Sequence, residues 1–193
     1  MRQSPSDFSV FSKNYWFLRL AVGALGISLL AGCGGMASKR DPSAVLKQAW
    51  TNFQLRDFDL AQAGFEKVRR LVPEKDPRQV EAIYGEASCW NLRQDGRDTN
   101  RARALFDEIL RRDPSGPFAP WAVLDRVRSI QLTTGDEPPD EKELIKDYAA
   151  VERKFPGTPA ATEALLYRAD LEFPHATTSK ELQAIESRLL DFV

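Results

Sequence analysis

The sequence is poor in the residues that metal binding, nucleophilic chemistry and covalent cross-linking need. It contains one histidine, His175, and two cysteines, Cys33 and Cys89. The sequence contains none of the patterns CxxC, HExxH, GxGxxG and GxxxxGK[ST]. It therefore lacks the usual motifs of zinc hydrolases, dinucleotide-binding folds and P-loop proteins. These gaps predict a protein that is not an enzyme and that uses no metal and no cofactor.

An excess of positive charge is also lacking. The 27 lysines and arginines are balanced by 28 acidic residues, and the formal net charge is −1. A protein that binds nucleic acid usually carries a strongly basic surface, so the composition argues against a nucleic-acid partner. Hydrophobic residues make up 42% and charged residues 28% of the chain, which predicts a folded domain with a core.

Residues 1–32 have the pattern of a secretory signal peptide. An uncharged run, LAVGALGISLL, covers residues 20–30 after a polar segment with basic residues. This run is too short to span a bilayer as a helix, and basic residues before it keep the N-terminus on the cytoplasmic side. The pattern predicts export, with an uncleaved short membrane anchor as the alternative.

The end of this run resembles the lipobox of bacterial lipoproteins at all four positions: Leu30, Ala31, Gly32 and Cys33. The resemblance implies cleavage before Cys33, a diacylglycerol thioether on its sulfur and an acyl chain on its amine. An ordinary secretory leader, in which Cys33 is incidental, is the alternative. One acyl chain anchors only reversibly, whereas two or three hold firmly. Residues 33–41 are then expected to form a flexible tether. No aspartate adjoins Cys33, which by resemblance favours the periplasmic face of the outer membrane over that of the inner membrane.

From Asp41 onward the sequence predicts helices almost throughout. Apolar residues recur at spacings of three and four within residues 59–72, 100–112 and 141–155, as in amphipathic helices. Prolines that lie about 40 residues apart follow these segments, and such a period indicates stacked units: Pro73, Pro114 and Pro156. The predicted fold is all-α, built from stacked antiparallel helical hairpins.

The first unit, residues 42–73, resembles the tetratricopeptide repeat. The matching positions are Ala49, Asp57, Phe58, Ala61, Phe65 and Pro73. In this pattern the alanines allow two helices to approach closely, and Phe65 fills the space between hairpins. The resemblance implies a right-handed α-solenoid over residues 42–193. The later units have longer turns and match less closely: 77–114, 117–156 and 158–193, the last with a helix predicted over Ser179–Phe192.

A second resemblance covers Lys154–Ala169, which reads KFPGTPAATEALLYRA. This stretch resembles the BamD-like outer-membrane lipoproteins of the β-barrel assembly machinery. It is also similar to periplasmic cell-division coordinators with such repeats. The resemblance implies a scaffold for protein–protein interaction whose partners are β-barrel assembly components. A solute- or peptide-binding envelope lipoprotein is an alternative, and an envelope enzyme is another.

The candidate partner-binding residues lie on the first helices of the repeats, which line the concave face of such a stack. Aromatic and arginine side chains on that face can hold an extended or helical peptide. Packing between neighbouring hairpins is the competing interpretation for each of them. The candidates are Trp50, Phe53, Gln54, Glu86, Trp90 and Arg126.

The remaining reactive side chains are given structural interpretations. His175 is expected in a loop with no carboxylate or thiol nearby, and Cys89 is expected to be a buried small hydrophobe. Residues 93–103 and 137–143 are expected to be solvated turns. Paired acidic residues such as Asp107 and Glu108 are expected to be surface charges, because nothing in the sequence indicates that their pKa values are shifted.

Overall fold

The computed structural model describes residues 41–133 and 138–190. The predicted signal peptide, the lipobox with Cys33 and most of the predicted tether lie outside the described residues, as does Phe192. Within these two ranges the protein consists of helices and their connections, without a strand. The all-α prediction is therefore confirmed for the part of the chain that the structure describes.

Eight α-helices follow one another along the described chain. They are α1 (Pro42–Gln54), α2 (Phe58–Leu71), α3 (Pro77–Leu92), α4 (Thr99–Arg112), α5 (Ala119–Gln131), α6 (Glu141–Lys154), α7 (Pro159–Glu172) and α8 (Ser179–Leu190). A single 3-10 turn, Phe173–His175, joins α7 to α8. None of these helices is both long and apolar enough to cross a bilayer.

Most of the helices begin where a short polar side chain accepts hydrogen bonds from the amides of the first turn. Asp41 accepts from the amides of Ser43 and Ala44, and Pro42 follows it as the first helical residue. This arrangement satisfies donors that a helix leaves unpaired at its start. Side chains with the same role precede α2, α3, α4, α6 and α7: Asp57, Asp76, Asp98, Asp140 and Thr158.

Consecutive helices pack against each other, and the odd-numbered helices also contact one another in the order α1, α3, α5, α7. Arg78 Nη1 in the first turn of α3 donates to Ser43 Oγ in the first turn of α1 at 3.0 Å, so both helices begin at the same end. We call this the helix-start end; it includes the connections 72–76, 113–118 and 155–158. The hairpin-turn end, with residues 55–57, 93–98 and 176–178, lies opposite.

Small residues let the first three helices pack closely around Phe65. A Cβ atom on Gly64 would lie 2.8 Å from Ala49 Cβ, and one on Gly85 would lie 2.4 Å from Phe65 Cζ. Ala49, Ala61 and Phe65 are all fully buried. The predicted role of Phe65 between hairpins is confirmed, because its ring lies directly against the backbone of α3 at Gly85.

The last helix is attached much more loosely than the first ones. Ile185 is the one residue of α8 that is buried, while Leu182 and Leu190 are exposed. The predicted start of this helix at Ser179 is confirmed, and the structure describes it as far as Leu190. Its amphipathic pattern is thus only partly used for packing within the described chain.

Candidate functional site

A line of side-chain contacts crosses the face formed by the odd-numbered helices. Trp50 Nε1 on α1 donates to Glu81 Oε1 on α3 at 2.8 Å. Tyr84 on α3 donates its hydroxyl proton to Asp125 Oδ2 on α5 at 2.7 Å. The Arg128 guanidinium on α5 lies 5.0 Å from the centre of the Tyr167 ring on α7. We call these three pairs the odd-helix ladder: Trp50–Glu81, Tyr84–Asp125 and Arg128–Tyr167.

Burial shifts the acid–base properties of the central part of the ladder. It raises the pKa of Asp125, although the hydrogen bond from Tyr84 and the charge of Arg128 act in the opposite direction. Burial alone would lower the pKa of Arg128, but Tyr167, Asp125 and Glu163 together outweigh it and raise that pKa. Burial also raises the pKa of Tyr167 to about 12. The ladder therefore combines a retained arginine charge with a phenol at Tyr167 that keeps its proton, a set suited to hydrogen bonding and stacking.

Aromatic rings continue this face along α1. Trp50 and Phe53 meet edge to face with 5.4 Å between ring centres, and Phe53 meets Phe58 at 5.5 Å. Trp50 also meets the buried Phe65 ring at 4.8 Å. Both Trp50 and Phe53 are half-buried, whereas Gln54 is exposed. The competing interpretation of Trp50 as a packing residue is thus supported, yet the same indole contributes to the odd-helix face.

Glu86 belongs to a different surface from Trp50, facing the even-numbered helices. It is 3% exposed, accepts from Arg69 Nη1 on α2 at 2.6 Å and lies 3.8 Å from Arg101 on α4. Glu81, which pairs with Trp50, faces the other side of α3, because residues five apart on a helix point in widely different directions. The structure therefore does not bring Glu86 together with Trp50.

Trp90 lies one turn beyond Glu86 on the same side of α3. The guanidinium carbons of Arg93 and Arg101 lie 4.2 and 4.3 Å from the centre of its indole, a double cation–π arrangement. Arg93 also pairs with Asp59 Oδ1 at 3.3 Å, and its side chain is only 12% exposed. The expectation of a solvated turn over residues 93–103 is therefore wrong for Arg93, because the indole and Asp59 hold its side chain against the domain. It is also wrong for residues 99–103, which form the start of α4.

Arg126 is the last of the predicted groove residues. Its side chain is half-exposed and lies 3.5 Å from Asp107 Oδ1 on α4, so it bridges an odd and an even helix. The neighbouring Glu108 is only partly exposed, unlike the surface charge that was expected. It forms ion pairs with Arg69 at 3.3 Å and with Arg112 at 2.9 Å. The six predicted residues are thus distributed over the odd-helix face, the even-helix side and the junction between them.

His175 has a partner that the sequence did not reveal. Its Nε2 lies 2.7 Å from Glu141 Oε2, so the expectation that no carboxylate lies near it is wrong. The 3-10 turn before α8 places the imidazole over the first turn of α6, and both side chains are more than half exposed. The described residues contain no cluster of three metal-ligating side chains.

Cys89 is fully buried, as predicted. Burial raises the pKa of its thiol to about 12. A thiol in this state is a poor nucleophile, because the thiolate is the reactive form. The residue therefore acts as a small apolar side chain in the packing of α3.

Several members of the odd-helix ladder were not among the predicted site residues. Glu81 and Tyr84 lie three positions apart on α3, and Asp125 and Arg128 lie three positions apart on α5. This spacing places each pair on one helix face, a signal that was present in the sequence. No family model matches the chain, and no curated protein shows significant similarity to it.

Proposed function

We propose that this chain is an outer-membrane lipoprotein that binds protein partners with the odd-helix face of a tetratricopeptide-like, right-handed helical stack. Its role is recognition without bond-making, and the proposed partners are components of β-barrel assembly, in the manner of BamD-like lipoproteins. The lipobox at Leu30–Cys33 supports the anchor. The odd-helix ladder supports the binding role.

The observation that carries the binding proposal is the continuity of this face over four helices. Trp50 and Tyr167 supply half-buried aromatic surface from α1 and α7, and the buried Tyr84 links α3 to α5 beneath it. Each of the three takes part in a polar or cationic contact with a neighbouring odd helix. Such rigid aromatic anchors beside charged groups are typical of surfaces that hold a peptide segment. A partner lying along this face would contact every hairpin.

The binding proposal is tested by replacing Trp121 and Tyr167, one at a time, with a photo-crosslinking aromatic amino acid in the intact protein in its own cells. Both positions are half-buried on odd helices. Exposed positions on even helices, Lys67 and Ala104, serve as matched controls. We expect ultraviolet light to trap a protein partner from the first pair only, and mass spectrometry to identify barrel-assembly components.

Crosslinks from the control positions alone would contradict a binding role for the odd-helix face. Crosslinks from Trp121 or Tyr167 to a division protein would retain the face and replace the partner class with the envelope-coordinator alternative. Recovery of a bound sugar or short peptide with the protein alone would favour the solute-binding alternative.

The anchor is tested by metabolic labelling with an alkyne fatty acid. We expect the label on the wild-type protein and on Cys89→Ser, and its loss from Cys33→Ser, because Cys89 is buried within α3. An unmodified sulfur at residue 33 in the natural protein, together with a protein free in aqueous extracts, would overturn the anchor.

A further inference from the structure

The even-numbered helices α2, α4 and α6 all carry two basic residues in their last turns, at the helix-start end. Cations are favoured at helix C-termini by the helix dipole, which explains each pair taken alone. The antiparallel arrangement has a further consequence, because it brings the pairs of three hairpins to one end of the domain. The pairs are Arg69 and Arg70, Arg111 and Arg112, and Arg153 and Lys154.

Some of these side chains form ion pairs within the domain, and the others are exposed. Arg69 and Arg112 both pair with Glu108. The side chain of Arg70 is 68% exposed and only loosely paired with Glu66, at 3.7 Å. The set is completed by exposed basic side chains that pair with no described carboxylate: Lys75, Arg111, Arg153 and Lys154.

Most acidic residues at this end are engaged within the domain: Asp76 pairs with Arg78 at 2.6 Å, and two others face the backbone. Asp41 accepts from the amides of Ser43 and Ala44. Asp113 lies against Gly116, where a Cβ atom would come within 1.7 Å of its carboxylate. Glu74 is the exposed acidic side chain of the 72–76 connection. The surface at the helix-start end is therefore predominantly positive, and we call it the basic end.

The hairpin-turn end is richer in carboxylates. Aspartates cap the starts of α2, α4 and α6 there, and further acidic residues lie in the first turns of α6 and α8. These carboxylates are Asp57, Asp98, Asp140, Glu141, Glu143 and Glu181. Basic residues are also present at this end, among them Arg56, Lys142 and Lys180, but carboxylates outnumber them. The two ends of the domain thus differ in their balance of charge, although the net charge of the chain is close to zero.

The position of the first helix links this polarity to the proposed anchor. α1 begins at the basic end, just after Asp41, and Cys33 precedes Asp41 by a tether of about eight residues, which reaches at most about 29 Å. The helix itself is only about 20 Å long. The tether alone therefore allows either end of the domain to approach the membrane, and the charge distribution has to select one.

We propose that the basic end docks on anionic phospholipid headgroups and so orients the stack with its hairpin-turn end away from the membrane. The docking site comprises Arg70, Lys75, Arg111, Arg153 and Lys154. Basic residues near an anionic surface are attracted to it, and the attraction falls off within a Debye length. This inference rests on the proposed lipid anchor, which supplies proximity, while the basic end supplies orientation.

The test measures which end of the intact acylated protein lies nearer the bilayer. A donor fluorophore is attached to Ser115→Cys at the basic end or to Gln94→Cys at the hairpin-turn end; both positions are exposed. Energy transfer to an acceptor lipid is measured in vesicles of neutral phosphatidylcholine, and in vesicles with about one-third phosphatidylglycerol, a content that gives a strong negative surface potential. We expect severalfold higher transfer from position 115 than from position 94 in the anionic vesicles only.

The charge dependence is tested with matched triple variants. The triple variant Arg111→Gln, Arg153→Gln, Lys154→Gln is expected to abolish the difference in energy transfer between positions 115 and 94. A salt concentration of about 1 M is expected to do the same, because the Debye length then falls to about 3 Å. The control, Arg56→Gln, Lys142→Gln and Lys180→Gln, removes the same charge from exposed sites at the hairpin-turn end and is expected to preserve it. Circular dichroism confirms that both variants are folded.

Equal transfer from the two positions in anionic vesicles, or a difference that persists in neutral vesicles, would overturn the docking proposal. Failure of the anchor has a different signature, since the protein would then not stay on neutral vesicles at all. Such a protein would support the docking site without the anchor if it still bound anionic vesicles in a salt-sensitive way. Only the triple variant of Arg111, Arg153 and Lys154 should then lose this binding.

Discussion

The first and last hairpins have apolar residues at the same spacing, but these residues are buried to very different extents. In α2, Ala61, Phe65 and Val68 are fully buried, whereas α8 buries Ile185 alone and leaves Leu182 and Leu190 exposed. The first hairpin meets small residues on its neighbours, so that a large ring fits against a backbone. An amphipathic stripe thus predicts a helix, while the adjacent surface determines how tightly that helix is held.

The largest expected effect comes from Phe65→Ala. The fully buried ring lies against Gly85, and its removal leaves a cavity that costs about 3–5 kcal/mol of unfolding free energy. Phe173→Ala, at a ring that is 64% exposed near the last hairpin, is expected to change stability by no more than about 0.5 kcal/mol. Urea unfolding of both variants checks the contrast, and similar losses would show that the two hairpins are equally well packed.

A second pair of substitutions compares acidic residues that join helices in the two regions. Glu86 is nearly inaccessible and binds Arg69 across α2 and α3, so Glu86→Gln is expected to cost about 1.5–3 kcal/mol. Glu172 contacts Arg168 within α7 and Arg188 across to α8, with partly exposed side chains. Glu172→Gln is expected to cost no more than about 1 kcal/mol. A larger loss for Glu172→Gln in chemical unfolding would reverse the comparison.

Asp125, between the two regions, gives a pH-dependent prediction. Burial raises its pKa in the folded protein, so the folded state binds more protons than the unfolded state at pH values between the two pKa values. Stability from this group is therefore present at low pH and is lost as the pH rises through that interval. Asp125→Asn removes this dependence and still offers an oxygen to the Tyr84 hydroxyl.

Urea midpoints of wild type and Asp125→Asn, measured from acid to neutral pH, check the sign. We expect the variant to become more stable relative to wild type as the pH rises. A wild type that gains stability relative to the variant over the same range would mean that the Tyr84 hydrogen bond and the Arg128 charge outweigh the effect of burial.

Much of the fold could be predicted because its signals are local. Predicted segments 59–72, 100–112 and 141–155 became α2, α4 and α6 with shifts of one residue at most at each end, since aspartate caps and prolines mark where these helices begin and end. The close contacts of Gly64 and Gly85 were not predicted. Their roles depend on which residue of another helix lies opposite, and one sequence does not contain that information.

The candidate site was predicted less completely, because facing residues on different helices are set by tertiary packing. The sequence pointed to Trp50 and Phe53, which do lie on the odd-helix face, but it grouped them with Glu86 and Trp90, which face the even helices. Glu81, the partner of Trp50, lies on a different side of α3 from Glu86 and Trp90, and this separates the two sets. The contact between His175 and Glu141 likewise joins residues that are distant in the chain, and no spacing rule predicts it.

The smallest expected effect on global stability comes from Ile185→Ala. This side chain is the only buried one on α8, so its loss weakens the attachment of that helix while α1–α7 keep their packing. We expect amides of residues 179–190 to exchange hydrogen much faster than in wild type, with little change in the main unfolding transition. Local opening of a loosely held element need not involve the rest of the domain.

The matched control is Ile83→Ala, which removes an equal volume from a fully buried position on α3. That change is expected to lower the global unfolding free energy by about 2–5 kcal/mol and to speed exchange across α1–α4. If Ile185→Ala also lowered the main transition by this amount, α8 would be an integral part of the cooperative unit despite its exposed leucines. The difference between the first and last hairpins would then be one of solvent exposure and not of cooperativity.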